Sequence, residues 1–189
     1  MTTILKIGGS LKSAPTRLRA LLAEVAEGTH GCCVVVPGGG AFADAVRAAQ
    51  IRDDFDDAEA HRRALDAMGR MADYFRELEP RLIRSVEPWA DAPAASVWDP
   101  VSLRAGHPEI PESWDVTSDS LALWLAARLR ARRCALVKSA DAASDETPDA
   151  LARRGLVDSA FPTFARRYGG PVAIWGPIRQ VTLPQRVAA

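Results

Sequence analysis

The run CCVVVPGGGAFADAVRAAQI, residues 32–51, passes from cysteine and valine through Pro-Gly-Gly-Gly into alanine-rich helical spacing. A continuous apolar, β-branched stretch without polar alternation describes a strand buried on both faces. A strand that turns through glycines straight into a helix is the first half of a βαβ unit, from which parallel sheets are built.

Reading outward, residues 4–7 make a similar strand that ends in KIGGSL, and residues 16–27 read as a helix with Leu18, Leu21, Leu22 and Val25 on one stripe. After the acidic break RDDFDDAEAH, the spacing predicts a helix over 58–78 with Leu65, Met68, Met71, Ala72 and Phe75 as its inner face, ended by Pro80. Residues 82–114 hold five prolines and three tryptophans around one short strand, SVWDP, so the rest of that stretch is expected to be ordered loop. SDSLALWLAARLRARR reads as an amphipathic helix with Leu121, Trp124, Leu125 and Leu129 on one face. CALVKSAD is the next strand, a helix follows near 158–168, and PVAIWG is the last strand. The alternation predicts an α/β fold, a mainly parallel sheet covered by helices on both faces.

The 189 residues suit a single domain with a proper core. With 24 basic and 24 acidic residues, nothing in the charge balance favours nucleic acid or an anionic membrane, so small molecules are the expected partners. Cys32, Cys33 and Cys134 have no metal-ligand spacing and read as core residues; no metal site is expected. No signal peptide opens the chain and no apolar run reaches the length of a membrane helix, which leads to the expectation of a cytoplasmic protein.

Of the 24 Lys and Arg residues, only Lys6, Lys12 and Lys138 are lysines. Where arginine is used so freely, a lysine inside a strand marks a place that needs a compact ammonium rather than a planar fork. Lys6 lies in such a strand and is followed by Gly8, Gly9 and Ser10; Lys138 ends another. Both glycine turns, the second being Gly38 to Gly40, belong to the carboxyl edge of the sheet, where ligands of open α/β sheets sit. Glycines let the backbone approach an anion closely and aim N–H groups at it, and the helix after Gly40 adds its positive end.

The second turn also satisfies the dinucleotide fingerprint Gly38-x-Gly40-x-x-Ala43. In that arrangement an acid closes the next strand, whereas Asp53, Asp54, Asp56 and Asp57 lie in a polar break between helices. DVTSDS, residues 115–120, opens the Leu121 helix. Thr117 or Ser118 can cap it and Asp119 can complement its dipole, but capping leaves further acids and hydroxyls over, which points to a site role for Asp119. Two lysines, a carboxylate to hold them charged and two anion-cradling turns form a phosphoryl-transfer inventory, because that transition state is stabilised by positioned cations and N–H donors.

KIGGSL, VVPGGGAFAD and DVTSDSLA, in this order over residues 2–140, resemble the amino acid kinase family. The resemblance implies a three-layer αβα sandwich forming one domain over 1–189, with an acceptor and phosphoryl part over about 1–133 and a shortened nucleotide-binding part over about 134–189. It implies an ATP- and Mg²⁺-dependent phosphotransferase and a homo-oligomer. Lys6, Asp119 and Lys138 would be catalytic; Gly8, Gly9, Ser10, Lys138 and Asp141 would bind phosphate and nucleotide; Gly38, Gly39, Gly40, Thr117 and Ser118 would face an anionic acceptor. Within the family, the short chain and the TSDSLA wording look most like the small kinases of methanofuran and methylofuran biosynthesis, which phosphorylate an (aminomethyl)furan-methyl phosphate. A non-catalytic nucleotide or oxyanion binding protein on the same fold is the rival expectation.

Overall fold

The computed structural model describes residues 1–88 and 93–184; Trp89, one of the tryptophans counted above, lies outside them. Seven strands form one sheet in the order β3-β4-β2-β1-β5-β6-β7. They are β1 (Thr3–Ile7), β2 (Cys33–Pro37), β3 (Ile83–Ser85), β4 (Ala95–Trp98), β5 (Arg133–Val137), β6 (Val172–Trp175) and β7 (Gln180–Thr182). Every pairing is parallel except β6 with β7. The helices are α1 (Pro15–Ala26), α2 (Gly40–Asp53), α3 (Asp57–Leu78), α4 (Ser118–Arg128), α5 (Pro148–Arg153) and α6 (Phe161–Tyr168).

Side chains alternate along β1, so Leu5 and Ile7 pack with Leu18, Leu22 and Phe75 on one face, while Ile4 packs with α4 and α6 residues on the other. The two core clusters are therefore the two faces of the sheet, which makes a three-layer sandwich. The inner face expected for α3 is buried in full, from Leu65 to Phe75. Asp56 caps that helix by accepting the Glu59 N–H at 2.8 Å.

Several elements differ from the expectation, among them β7, which follows the strand expected to be last. β3 and the 3-10 turn Pro100–Ala105 organise part of the stretch expected to be loop. β3 has only three residues and two of them are exposed, so it carries almost no hydrophobic pattern. α5 was hidden in a polar segment for the same reason, being six residues with one buried side chain. α4 is not amphipathic. Ser118 to Ala126 are all buried, because the helix is covered by β1 and β5 on one side and by α6 on the other.

Candidate active site

The register of the central strands brings the chemistry to one edge. Ile7 pairs with Pro37 on one side and Val137 on the other, so β1, β2 and β5 end together, and the next residues are Gly8, Gly38 and Lys138. The two-residue period places Lys6 on the same face as Ile4, toward α4. The first turn of α4 meets it there with Asp119. Asp119 Oδ1 lies 2.8 Å from the Lys6 ammonium and Oδ2 lies 2.6 Å from that of Lys138. All three residues are at least nine-tenths buried.

Burial pushes the Asp119 carboxyl up, but the two ammonium groups together outweigh it and hold its pKa below the usual carboxylate range. Lys138 goes the other way. Burial and then the Lys6 charge lower its pKa from 10.5 to about 8, against the pull of Asp119. The cluster carries two cations for one anion, an electrostatic deficit that a bound phosphate would cancel.

The glycine turns have a packing reason as well as a binding one. A Cβ on Gly9 would lie 2.3 Å from the Gly40 backbone, and one on Gly38 would lie 2.7 Å from the Gly9 nitrogen. Gly40 has φ of 52°, in the left-handed region. The two turns thus touch backbone to backbone, which no other residue allows. Gly38 donates its N–H to the Ile7 carbonyl at 2.8 Å and Gly8 donates to Val137 at 3.2 Å, so these two N–H groups hold the scaffold. Gly39 offers no side-chain cap to α2, and Gly39, Gly40 and Ala41 at the start of that helix line the space above the edge.

Above this edge is a cavity of about 790 Å³. Lys6, Lys138, Gly8 to Ser10, Gly38 to Gly40, Thr117 and Ser118 all line it, together with Lys12, so all three lysines of the chain meet in one space. Asp119 lies beneath them. Asp141 is placed elsewhere: its Oδ1 accepts N–H bonds from Ile178 and Arg179 at 3.1 and 2.8 Å, bracing the turn between β6 and β7, and it does not line the cavity. Thr117 occupies the N-cap position of α4 but makes no side-chain cap bond. Asp158 caps the helix from outside, accepting the N–H groups of Thr117 and Ser120 at 2.8 and 3.0 Å and both of their hydroxyls. Asp119 is therefore free of any capping duty; Asp158 takes the hydroxyls of Thr117 and Ser120, and Asp115 accepts from the Ser159 hydroxyl at 2.6 Å.

Beyond the candidate residues, three more side chains bear on the site. Lys12 holds its ammonium over the rings of Phe42 and Tyr74, at 5.4 and 4.8 Å from the centroids. Its rarity was the available signal. His61, buried on α3, has Nδ1 3.3 Å from the Ser113 carbonyl, and burial lowers its pKa, so the ring is neutral near pH 7. Arg17 grips the carbonyls of Lys138, Trp175 and Gly176, at 3.1, 3.0 and 2.6 Å. Asp158 and Arg17 act across the fold, where spacing along the chain gives no clue.

Residues 1–87 match the model of the amino acid kinase family. In class, the chain is a phosphotransferase. It is 25% identical over 181 residues to the [5-(aminomethyl)furan-3-yl]methyl phosphate kinase of Methanocaldococcus jannaschii, covering 87% of this chain and 83% of that one. The fold matches aspartate kinase from Synechocystis at a TM-score of 0.69 with 15% identity; the match takes in 100% of this chain but only 41% of that longer protein. Uridylate kinase from Archaeoglobus fulgidus matches at 0.66 with 18% identity, over 98% and 92% of the two chains. These solved structures speak for the kinase fold.

The donor set also bears on Mg²⁺. Among the described residues no group of three or more acids, histidines or cysteines gathers, and Asp119 is engaged by two lysines. That fits an ion that arrives on nucleotide phosphates with its waters, as Mg²⁺ commonly does in kinases, and not a resident protein cage. Among the described residues no helix is long and apolar enough to cross a membrane.

Proposed function

We propose that this protein transfers the γ-phosphoryl group of Mg-ATP to an acceptor that already carries a phosphate, giving a diphosphate and ADP. The observation that carries the proposal is the Asp119 carboxylate held between the buried ammonium groups of Lys6 and Lys138 at the floor of a glycine-rimmed cavity. An oxygen of the acceptor phosphate attacks the γ-phosphorus while the bond to the β,γ-bridging oxygen breaks, and ADP leaves. Lys6 and Lys138 meet the charge spread over the equatorial oxygens, and Asp119 keeps the two cations close without quenching either. Gly8, Gly9 and Ser10 serve the donor phosphates. Gly40 and the first turn of α2, with Thr117 and Ser118, serve the acceptor.

The acceptor class follows from the available bases. Asp119 is committed to the lysines, the Nδ1 of His61 faces the Ser113 carbonyl, and Asp44, the remaining carboxylate of the cavity among the described residues, is mostly exposed beside Arg47 and one helical turn from the Gly40 turn. An alcohol needs its proton removed as it attacks, whereas an ionised phosphate does not. The relative from Methanocaldococcus jannaschii makes [5-(aminomethyl)furan-3-yl]methyl phosphate the first candidate. With that acceptor, the product would serve a carrier of the methanofuran type.

Mg-ATP with a panel of phosphomonoesters, carboxylates and simple alcohols tests this, with ADP as the readout. Turnover is expected with phosphomonoesters. Efficient turnover of an unphosphorylated alcohol with phosphomonoesters inert would overturn the acceptor class; ATP binding with no turnover of any acceptor would point to a binding protein.

A further inference from the structure

Asp44 is the one acidic side chain that lines the cavity among the described residues; the other charged lining groups are Lys6, Lys12, Arg47 and Lys138. A single carboxylate in a cationic space calls for a ligand feature of its own, since phosphates would be repelled by it. Its place is defined by α2. Four residues after Gly40, Asp44 falls on the same face of the helix, one turn on, roughly 6 Å along the axis.

The carboxylate is also poorly used by the protein. Its partner Arg47 stands 3.7 Å away, and the Asp44 side chain is 76% exposed. Arg47 instead lays its guanidinium over the Trp114 ring, 3.9 Å from the centroid. Asp44 is left with open acceptor positions, and Leu65, Met68 and Leu121 give the same cavity an apolar wall.

We propose that Asp44 binds a protonated amine on the acceptor, so that the substrate class is an aminated phosphomonoester with a short apolar body. The assignment rests on the kinase reading above. The phosphate sits at the Gly40 turn, the body lies over the apolar wall, and the ammonium reaches Asp44. One helical turn is comparable to the width of a five-membered ring carrying a one-carbon arm on each side, which is the build named for the relative's substrate.

The test is a matched pair, an (aminomethyl)furan-methyl phosphate and its hydroxymethyl counterpart, assayed for kcat/KM and, by calorimetry, for binding. The wild type should prefer the amine by about 10- to 100-fold, the range of one charge-assisted hydrogen bond. Asp44→Asn should bring the ratio to near one, and Asp44→Glu should keep part of it. Equal use of the two compounds by the wild type, or a preference that survives Asp44→Asn, would overturn the Asp44 assignment and leave the kinase reading intact. Discrimination in binding with no ADP formed would support Asp44 and sink the kinase reading instead.

Discussion

Lys6→Ala should lower kcat by about 10²-fold or more with the fold retained, since a lost charged donor at a transition state typically costs a few kcal/mol. The remaining Asp119 and Lys138 still form a neutral pair, so no buried charge is orphaned. Lys6→Arg should fare no better. A planar guanidinium does not reproduce the compact ammonium that meets Asp119 Oδ1 at 2.8 Å beside the Gly8 turn. Near-normal turnover in the arginine variant would remove Lys6 from the chemistry.

Asp119→Asn should cost on the order of 10²- to 10³-fold in kcat, and here the melting temperature should fall as well. Breaking a buried ion pair by removing one partner costs about 3–5 kcal/mol in general. Because the folded pKa of Asp119 is depressed, its stabilising contribution is present above the unfolded pKa and is lost only as pH drops through the folded one. The variant lacks that contribution at neutral pH.

The two variants part company in their pH profiles. In the free wild-type enzyme Lys138 loses its proton at about pH 8, so kcat/KM should decline above that point. The decline is not unfolding: a lysine whose pKa falls from 10.5 to about 8 on folding makes the folded state relatively more stable as pH rises between those values. Lys6 pushes the Lys138 pKa down and Asp119 pushes it up. Residual activity of Lys6→Ala should therefore show its alkaline limb moved upward, and that of Asp119→Asn moved downward. Limbs that stay together would show that the three groups do not act as one unit.

Much of this site was legible because it is made of local signals. A valine run ending in glycines is a buried strand meeting a turn in any context, and a lysine inside such a run is conspicuous in a chain that prefers arginine. That DVTSDS held more polar groups than one cap needs was also visible, and the structure divides them between Asp158 and the lysines. What escaped was non-local. Asp158 reaches α4 from 41 residues beyond Thr117, and Arg17 reaches Lys138 from 121 residues before it. The burial of α4 on all sides depends on α6 lying over it, which no periodicity within α4 reveals. Asp141 came only from the family resemblance, and the β6–β7 turn claims its carboxylate.

The most direct test of the central claim is to follow ³¹P resonances while the protein acts on Mg-ATP and an (aminomethyl)furan-methyl phosphate. The account predicts that the acceptor monoester signal is replaced by two coupled diphosphate resonances, in step with ADP, and that Lys6→Ala slows the conversion by about 10²-fold or more. Release of orthophosphate with the acceptor signal unchanged, or ATP and acceptor both intact in the presence of folded protein, would contradict it.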